Sequence, residues 1–228
     1  MKKQFYVTRP NRMMPLIILV LACSFCFLTA VALDMTQIQA SFKKLGGRPE
    51  ALTEWQIMLH DANDLPVKDK LKRVNEFFNR HISYAENRDV WGKEDYWATP
   101  LESLAKNRGD CKGYVIAKYY ALVELNIPIK QLRLIYVKAQ IGGQASNIQQ
   151  SHMILAYYPA PEAEPLILDN LITEIRPSSR RTDLFPVFSF NSEGVFVGVT
   201  GGSSVGPGGV GQLSHWADLL RRAHEEGF

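Results

Sequence analysis

The chain has 228 residues, of which 21% are charged, and a formal net charge of +3. Lys2, Lys3, Arg9 and Arg12 stand ahead of a charge-free stretch from Met13 to Val31, so removing residues 1–32 turns the +3 into −1. That excludes basicity as an argument for nucleic-acid binding, and the 196 residues beyond suit one domain with a real core.

The cationic start, the apolar stretch and the small residues Ala30-Val31-Ala32 have the layout of an export signal, which predicts a periplasmic protein. An uncleaved anchor is the rival reading, because about 20 apolar residues can span a bilayer. Cys23 and Cys26 lie inside this segment, so neither belongs to a disulfide framework in a mature chain. A lipid-modified Cys23 is disfavoured by the apolar sequence that continues past it. Residues 33–228 then form one predicted domain containing a single cysteine, Cys111.

Leu52, Trp55, Met58 and Leu59 recur at helical spacing, and Val67, Leu71, Val74, Phe77 and Phe78 do so again. The spacing predicts two amphipathic helices whose stripes are core. Tyr84 to Trp97 is rich in aromatic and polar residues without a period and reads as a structured loop. Pro100, Glu102 and Leu104 open a short helix. A further helix is predicted from Cys111 to Asn126, with Val115, Ile116, Tyr119, Leu122 and Val123 on its apolar side, and Pro128 ends it.

Asp110 is a good N-cap, which places Cys111 in the first turn, where unpaired backbone N–H groups point outward. The partial positive charge there favours a thiolate, and the N–H groups offer part of an oxyanion hole. Gly109 is read as letting the chain approach closely.

Beyond the helix the pattern turns to strands at Leu132–Val137, His152–Tyr158 and Leu166–Asp169. The connection after Tyr158 is short and proline-rich, so the last two read as an antiparallel hairpin. Pairing Tyr158 with Ala163 sets His152 directly opposite Asp169, about 5 Å apart at Cβ. A slip of two residues makes that pair diagonal.

Taken singly, a lone Cys is more often a structural residue, His152 a satisfied strand histidine and Asp169 a turn residue. Together, a thiol at a helix N-terminus followed by His and then Asp on a sheet fits a nucleophile, a general base and an acid that fixes the tautomer of the base. His60, His81, His215 and His224 are weaker candidates on helix faces or ends. The segment Gly198 to Gly211 is half glycine. It lacks the Gly-Lys-Ser/Thr of a phosphate-binding loop and reads as a mobile loop. Leu213, Trp216, Leu219, Leu220 and Ala223 then line a closing helix, with Arg221 and Arg222 near its end. Trp97 is read as either pocket-shaping or core.

The ordered set Trp91-Gly92, Asp95-Tyr96-Trp97-Ala98-Thr99-Pro100-Leu101-Glu102, Gly109-Asp110-Cys111, Tyr114, Ser151-His152-Met153 and Leu168-Asp169-Asn170 resembles the bacterial transglutaminase-like cysteine proteinases, of the LapG type. Arg181, Asp183-Leu184, Pro186 and Ser189-Phe190-Asn191 extend the likeness almost to the C-terminus. The resemblance implies an α+β fold with a papain-like or transglutaminase-like core, in which Cys111 is the nucleophile, His152 the base and Asp169 its orienting acid. It further implies cleavage near the N-terminus of a large surface adhesin, at paired alanines, with control of biofilm attachment. The implied partner is an inner-membrane receptor for cyclic di-GMP.

One departure stands out. The family pattern Asp-Cys-Glu-Asp, whose acids help hold calcium, is here Asp110-Cys111-Lys112-Gly113. Only Asp110 remains as a metal ligand, and the calcium site is expected to be weakened or lost. Lys112 is read either as a solvated surface lysine or as a partial stand-in for the ion that favours the thiolate. Acyl transfer to an amine and a catalytically silent binding protein remain as alternative functions.

Overall fold

The computed structural model describes residues 33–143, 145–197 and 209–228. Residues 1–32, most of the glycine-rich segment and the side chain of Leu213 lie outside that description, and so do the readings placed on them. No helix of the described residues is long and apolar enough to cross a membrane.

The helices α1 (Met35–Lys44), α2 (Pro49–Ala62) and α3 (Val67–His81) precede the site. Their stripes are buried through Ile38 and Phe42, Leu52, Trp55 and Met58, and Leu71, Val74 and Phe78. Val67 is an exception: it starts α3 and stays 40% exposed, short of the core. The segment read as a loop contains a strand β1 (Ser83–Tyr84) and a short helix α4 (Asn87–Trp91), which Gly92 stops in a left-handed conformation.

Next come α5 (Pro100–Lys106), β2 (Arg108–Gly109) and α6 (Cys111–Glu124). A capping box starts α5: Thr99 Oγ1 accepts from Glu102 N, and the Glu102 carboxylate accepts from Thr99 N. The parallel pairing of β1 with β2 sets Tyr84 beside Gly109 and so fixes the approach to α6. The predicted close approach belongs not to Gly109 but to Gly113. A Cβ at Gly109 would meet Ile82 at an ordinary 3.7 Å, whereas one at Gly113 would lie 3.1 Å from Ser103 Oγ. It is α5 crossing α6 that needs the glycine.

The remaining strands are β3 (Leu132–Ile141), β4 (Ile148–Tyr157), β5 (Leu166–Leu168), β6 (Arg176–Pro177), β7 (Leu184–Asn191) and β8 (Gly194–Val197). They form one antiparallel sheet in the order β6-β5-β4-β3-β7-β8. Alternation along β3 and β4 sends Leu132, Leu134, Met153 and Leu155 into the main core with the helices. Ile135, Val137, Ile154 and Ala156 enter a smaller cluster instead. The fold is α+β, as expected. The closing helix α7 (Gly209–Glu226) buries Trp216, Leu219 and Ala223.

The hairpin register differs from the expected one. Leu155 pairs with Leu168 and Tyr157 with Leu166, a slip of two residues that makes His152 and Asp169 diagonal. The connection between β4 and β5 runs from Tyr158 to Pro165, longer than the four residues expected, while Tyr158 N–H still bonds to Gln131 O on the β3 side. Since β5 ends at Leu168, opposite Leu155, Asp169 departs from the sheet while the β4 edge back toward Ile148 has no strand paired on that side among the described residues.

Candidate active site

Asp110 caps α6: its Oδ1 accepts from the N–H groups of Lys112 at 3.1 Å and Gly113 at 3.3 Å. Cys111 is therefore the first residue of the helix, a free and partly buried thiol. The cap withdraws two of the N–H groups that the sequence reading offered to an oxyanion. Main-chain pairing on β3, Val137 against His152, presents the imidazole, which is 5% exposed.

His152 Nε2 and Asp169 Oδ1 are 2.7 Å apart. Asp169 also accepts from Arg181 Nη2 at 2.7 Å and from Leu171 N at 3.1 Å, while its carbonyl accepts from Asn79 Nδ2 at 2.8 Å. With Nε2 committed to Asp169, Nδ1 is the nitrogen left to face Cys111, which lies close enough to help raise the imidazole pKa. Of the three residues singled out in the sequence, His152 and Asp169 are in direct contact, although the register that was to bring them together is not the one adopted.

The electrostatics follow from this packing. Burial pulls the His152 pKa down, but hydrogen bonds and attraction from Asp169 and Cys111 outweigh it and hold the group at about 9. For Asp169, burial pushes upward, and His152 and Arg181 more than compensate, leaving the carboxyl at about 2.

Arg181, quoted in the resemblance but given no role, is the main residue that sequence reasoning missed. Its side chain is 1% exposed and bridges Asp169 to Asp183, accepted by Asp183 Oδ1 at 2.9 Å and Oδ2 at 2.8 Å. Its only sequence signal is an Asp two residues on, which fits any surface turn. Lys118, two turns along α6 from Cys111, was missed as well. It is fully buried, and its Nζ has no hydrogen-bond partner among the described residues. Burial lowers its pKa to about 7 against the pull of Asp169.

At the other flank, Lys112 is not the solvated lysine of the simpler reading. Its side chain is 11% exposed, and Nζ pairs with Asp110 Oδ2 and, at 3.2 Å, with Asp95 Oδ1. Trp97 is core, 1% exposed and packed against Phe190, His215 and Trp216. The segment around it is tied down from α7. Arg222 donates to Glu102 Oε2 at 2.7 Å, to Tyr96 OH at 3.1 Å and to Trp97 O at 2.5 Å. A groove of about 460 Å³ opens beside His152, lined by Tyr84, Tyr114, Ile141, Gln150, Asn170 and Leu171 among others.

Among curated proteins none matches this chain by sequence. Residues 57–185 match the family model of the bacterial transglutaminase-like cysteine proteinases. Among solved structures, LapG of Legionella pneumophila is 33% identical, with 84% of this chain and 98% of that one covered at a TM-score of 0.67. Its calcium-bound form is 35% identical, with 82% and 97% covered at 0.68. The EGTA-treated form is 33% identical, with 84% and 98% covered at 0.69. A thiol heading a helix, a histidine paired to a buried carboxylate and these matches agree: the chain belongs to the bacterial transglutaminase-like cysteine proteinases and is a cysteine protease of the LapG type.

Proposed function

We propose that Cys111, His152 and Asp169 form a catalytic triad that hydrolyses peptide bonds in an extended polypeptide. The observation that carries this reading is the 2.7 Å bond from His152 to Asp169, made by an imidazole whose pKa is raised also by the nearby Cys111 at the head of α6. Asp169 holds Nε2–H, so Nδ1 takes the thiol proton, and the sulfur attacks the scissile carbonyl. His152 then returns that proton to the leaving amine, and a water activated by the same nitrogen hydrolyses the thioester. Because Asp110 occupies the Lys112 and Gly113 N–H groups, we assign the main-chain share of oxyanion stabilisation to the Cys111 N–H.

The groove beside His152 supports a polypeptide substrate. It adjoins the β4 edge that has no strand beside it among the described residues, with Ile148 and Gln150 exposed there, and exposed apolar groups at Tyr84 and Leu171. An extended chain can lie there by main-chain pairing. The resemblance supports the N-terminal region of a large surface adhesin as that substrate, control of biofilm attachment as the outcome, and an inner-membrane receptor for cyclic di-GMP as a partner. The leader-like residues 1–32 support a periplasmic location for a protease domain at 33–228. Calcium, which the resemblance also implies, has no part in these steps, since the donor set beside Cys111 does not suit it.

The test is Cys111→Ala in the full chain, assayed on an alanine-rich adhesin segment and on a glutamine donor with a labelled amine. We expect a folded variant with no cleavage, and wild type that cleaves without incorporating amine. Undiminished cleavage by the variant would reject the triad, and amine incorporation without cleavage would favour acyl transfer.

A further inference from the structure

We propose that the Lys112 ammonium is the resident cation of this site: tethered to the chain, it joins Asp95 to Asp110 at the head of α6 and makes the protease indifferent to calcium. This deepens the preceding reading, whose nucleophile is the next residue, but its calcium readouts do not depend on that reading.

The donor chemistry carries the argument. Calcium takes six to eight oxygen ligands, and the oxygens near Cys111 are already committed. Asp110 Oδ1 accepts two backbone N–H groups, and Asp110 Oδ2 faces Lys112 Nζ. Asp95 Oδ1 takes the same ammonium at 3.2 Å, and its Oδ2 lies 3.8 Å from His215 Nε2. Lys112 and Gly113 stand where the resemblance has two acids, so one ligand has become a cation and the other has no side chain. Among the described residues no group of three or more His, Cys, Asp or Glu side chains is arranged to hold a metal.

Packing is tight at the next position as well. A Cβ at residue 113 would lie 3.1 Å from Ser103 Oγ, so an acid there requires the Ser103 side chain to shift by a few tenths of an ångström. A divalent ion would also meet an ammonium already in contact with both carboxylates, so the two cations would repel. Burial acts to lower the Lys112 pKa, but Asp110, Cys111 and Asp95 outweigh it and keep the ammonium charged. LapG of Legionella pneumophila has been solved calcium-bound and EGTA-treated. This chain is expected to behave alike in both media.

The experiment compares the full chain in EGTA and in excess calcium by melting temperature, by calorimetric titration with calcium alone, and by the alkylation rate of Cys111. Wild type and Lys112→Arg are expected to show no difference between the media and no calcium heat. Lys112→Glu, which brings a third carboxylate to Asp95 and Asp110, is expected to gain a calcium-dependent rise of about 5–10 °C at about 100 times its dissociation constant. Wild type that melts lower or labels more slowly in EGTA, or that binds calcium in the titration, overturns the inference and leaves the protease reading intact. Lys112→Glu that folds and ignores calcium overturns it too. Cys111 that stays inert in both media strikes at the protease reading instead, while equal melting temperatures would still uphold the inference.

Discussion

Two carboxylate–cation clusters border the site, one behind His152 and one at the residues beside Cys111, and they are built alike but placed differently. On one side Arg181 bridges Asp169 and Asp183, with Asp169 fully buried and Arg181 1% exposed. On the other, Lys112 bridges Asp110 and Asp95, and Asp95 is 41% exposed. Burial decides what each cluster can tolerate. A guanidinium in a dry site must meet two carboxylates in fixed geometry, because any group left over stays charged without water. An ammonium at the rim works as a point charge that another residue or ion can replace. The first cluster therefore fixes the imidazole through Asp169, and the second holds its cation at a more exposed place beside Cys111.

The largest effect is expected from Arg181→Met. It leaves buried Asp169 with His152 as its only ion-pair partner and should cost about 3–5 kcal/mol of stability by urea unfolding. Arg181→Lys should recover only part of that loss, since an ammonium cannot reproduce the fork that holds both acids. A loss below about 1 kcal/mol would mean that the buried cluster is no stricter than an exposed ion pair.

The same cluster sets a pH window. The folded Asp169 pKa of about 2 lies below its ordinary 3.8, so its contribution is present above 3.8 and fades as pH falls through 2. The folded His152 pKa of about 9 lies above its ordinary 6.5, so its contribution is complete below 6.5 and fades as pH rises through 9. Stability measured by chemical unfolding should therefore carry the full benefit of the pair between 3.8 and 6.5. In Asp169→Asn the fall on the alkaline side should shrink, and an unchanged alkaline limb would remove His152 as its source.

The smallest effect is expected at the rim. Asp95→Asn should change stability by no more than about 1 kcal/mol, since a half-exposed pair is screened and solvated. A loss matching that of Arg181→Met would erase the distinction between the clusters.

Much of this architecture was legible because it rests on local rules. Asp110 before an apolar helix announced the cap and placed Cys111 in the first turn, and Pro100 with Glu102 and Leu104 announced α5. Non-local choices were not legible. The hairpin register turned on the length of the connection from Tyr158 to Pro165, which its prolines did not reveal. Strand β7 was hidden by Pro186, which sits opposite Val137 beside a bulge, a place where a missing N–H does little harm. Arg181 and Lys118 gave no warning either, since their roles come from burial against Asp169, and nothing in their sequence neighbours reveals it. The departure at Lys112 was visible at once, but its second partner, Asp95, could be found only in the fold.

The central claim is that the Cys111 sulfur is activated by an imidazole held in place by Asp169, and alkylation kinetics of wild type, His152→Ala and Asp169→Asn at about pH 6 test it most directly. The account expects rapid labelling of wild-type Cys111, slowed by more than about tenfold in each variant, since an ordinary thiol is under about 1% thiolate there. Equal rates in all three proteins would contradict it.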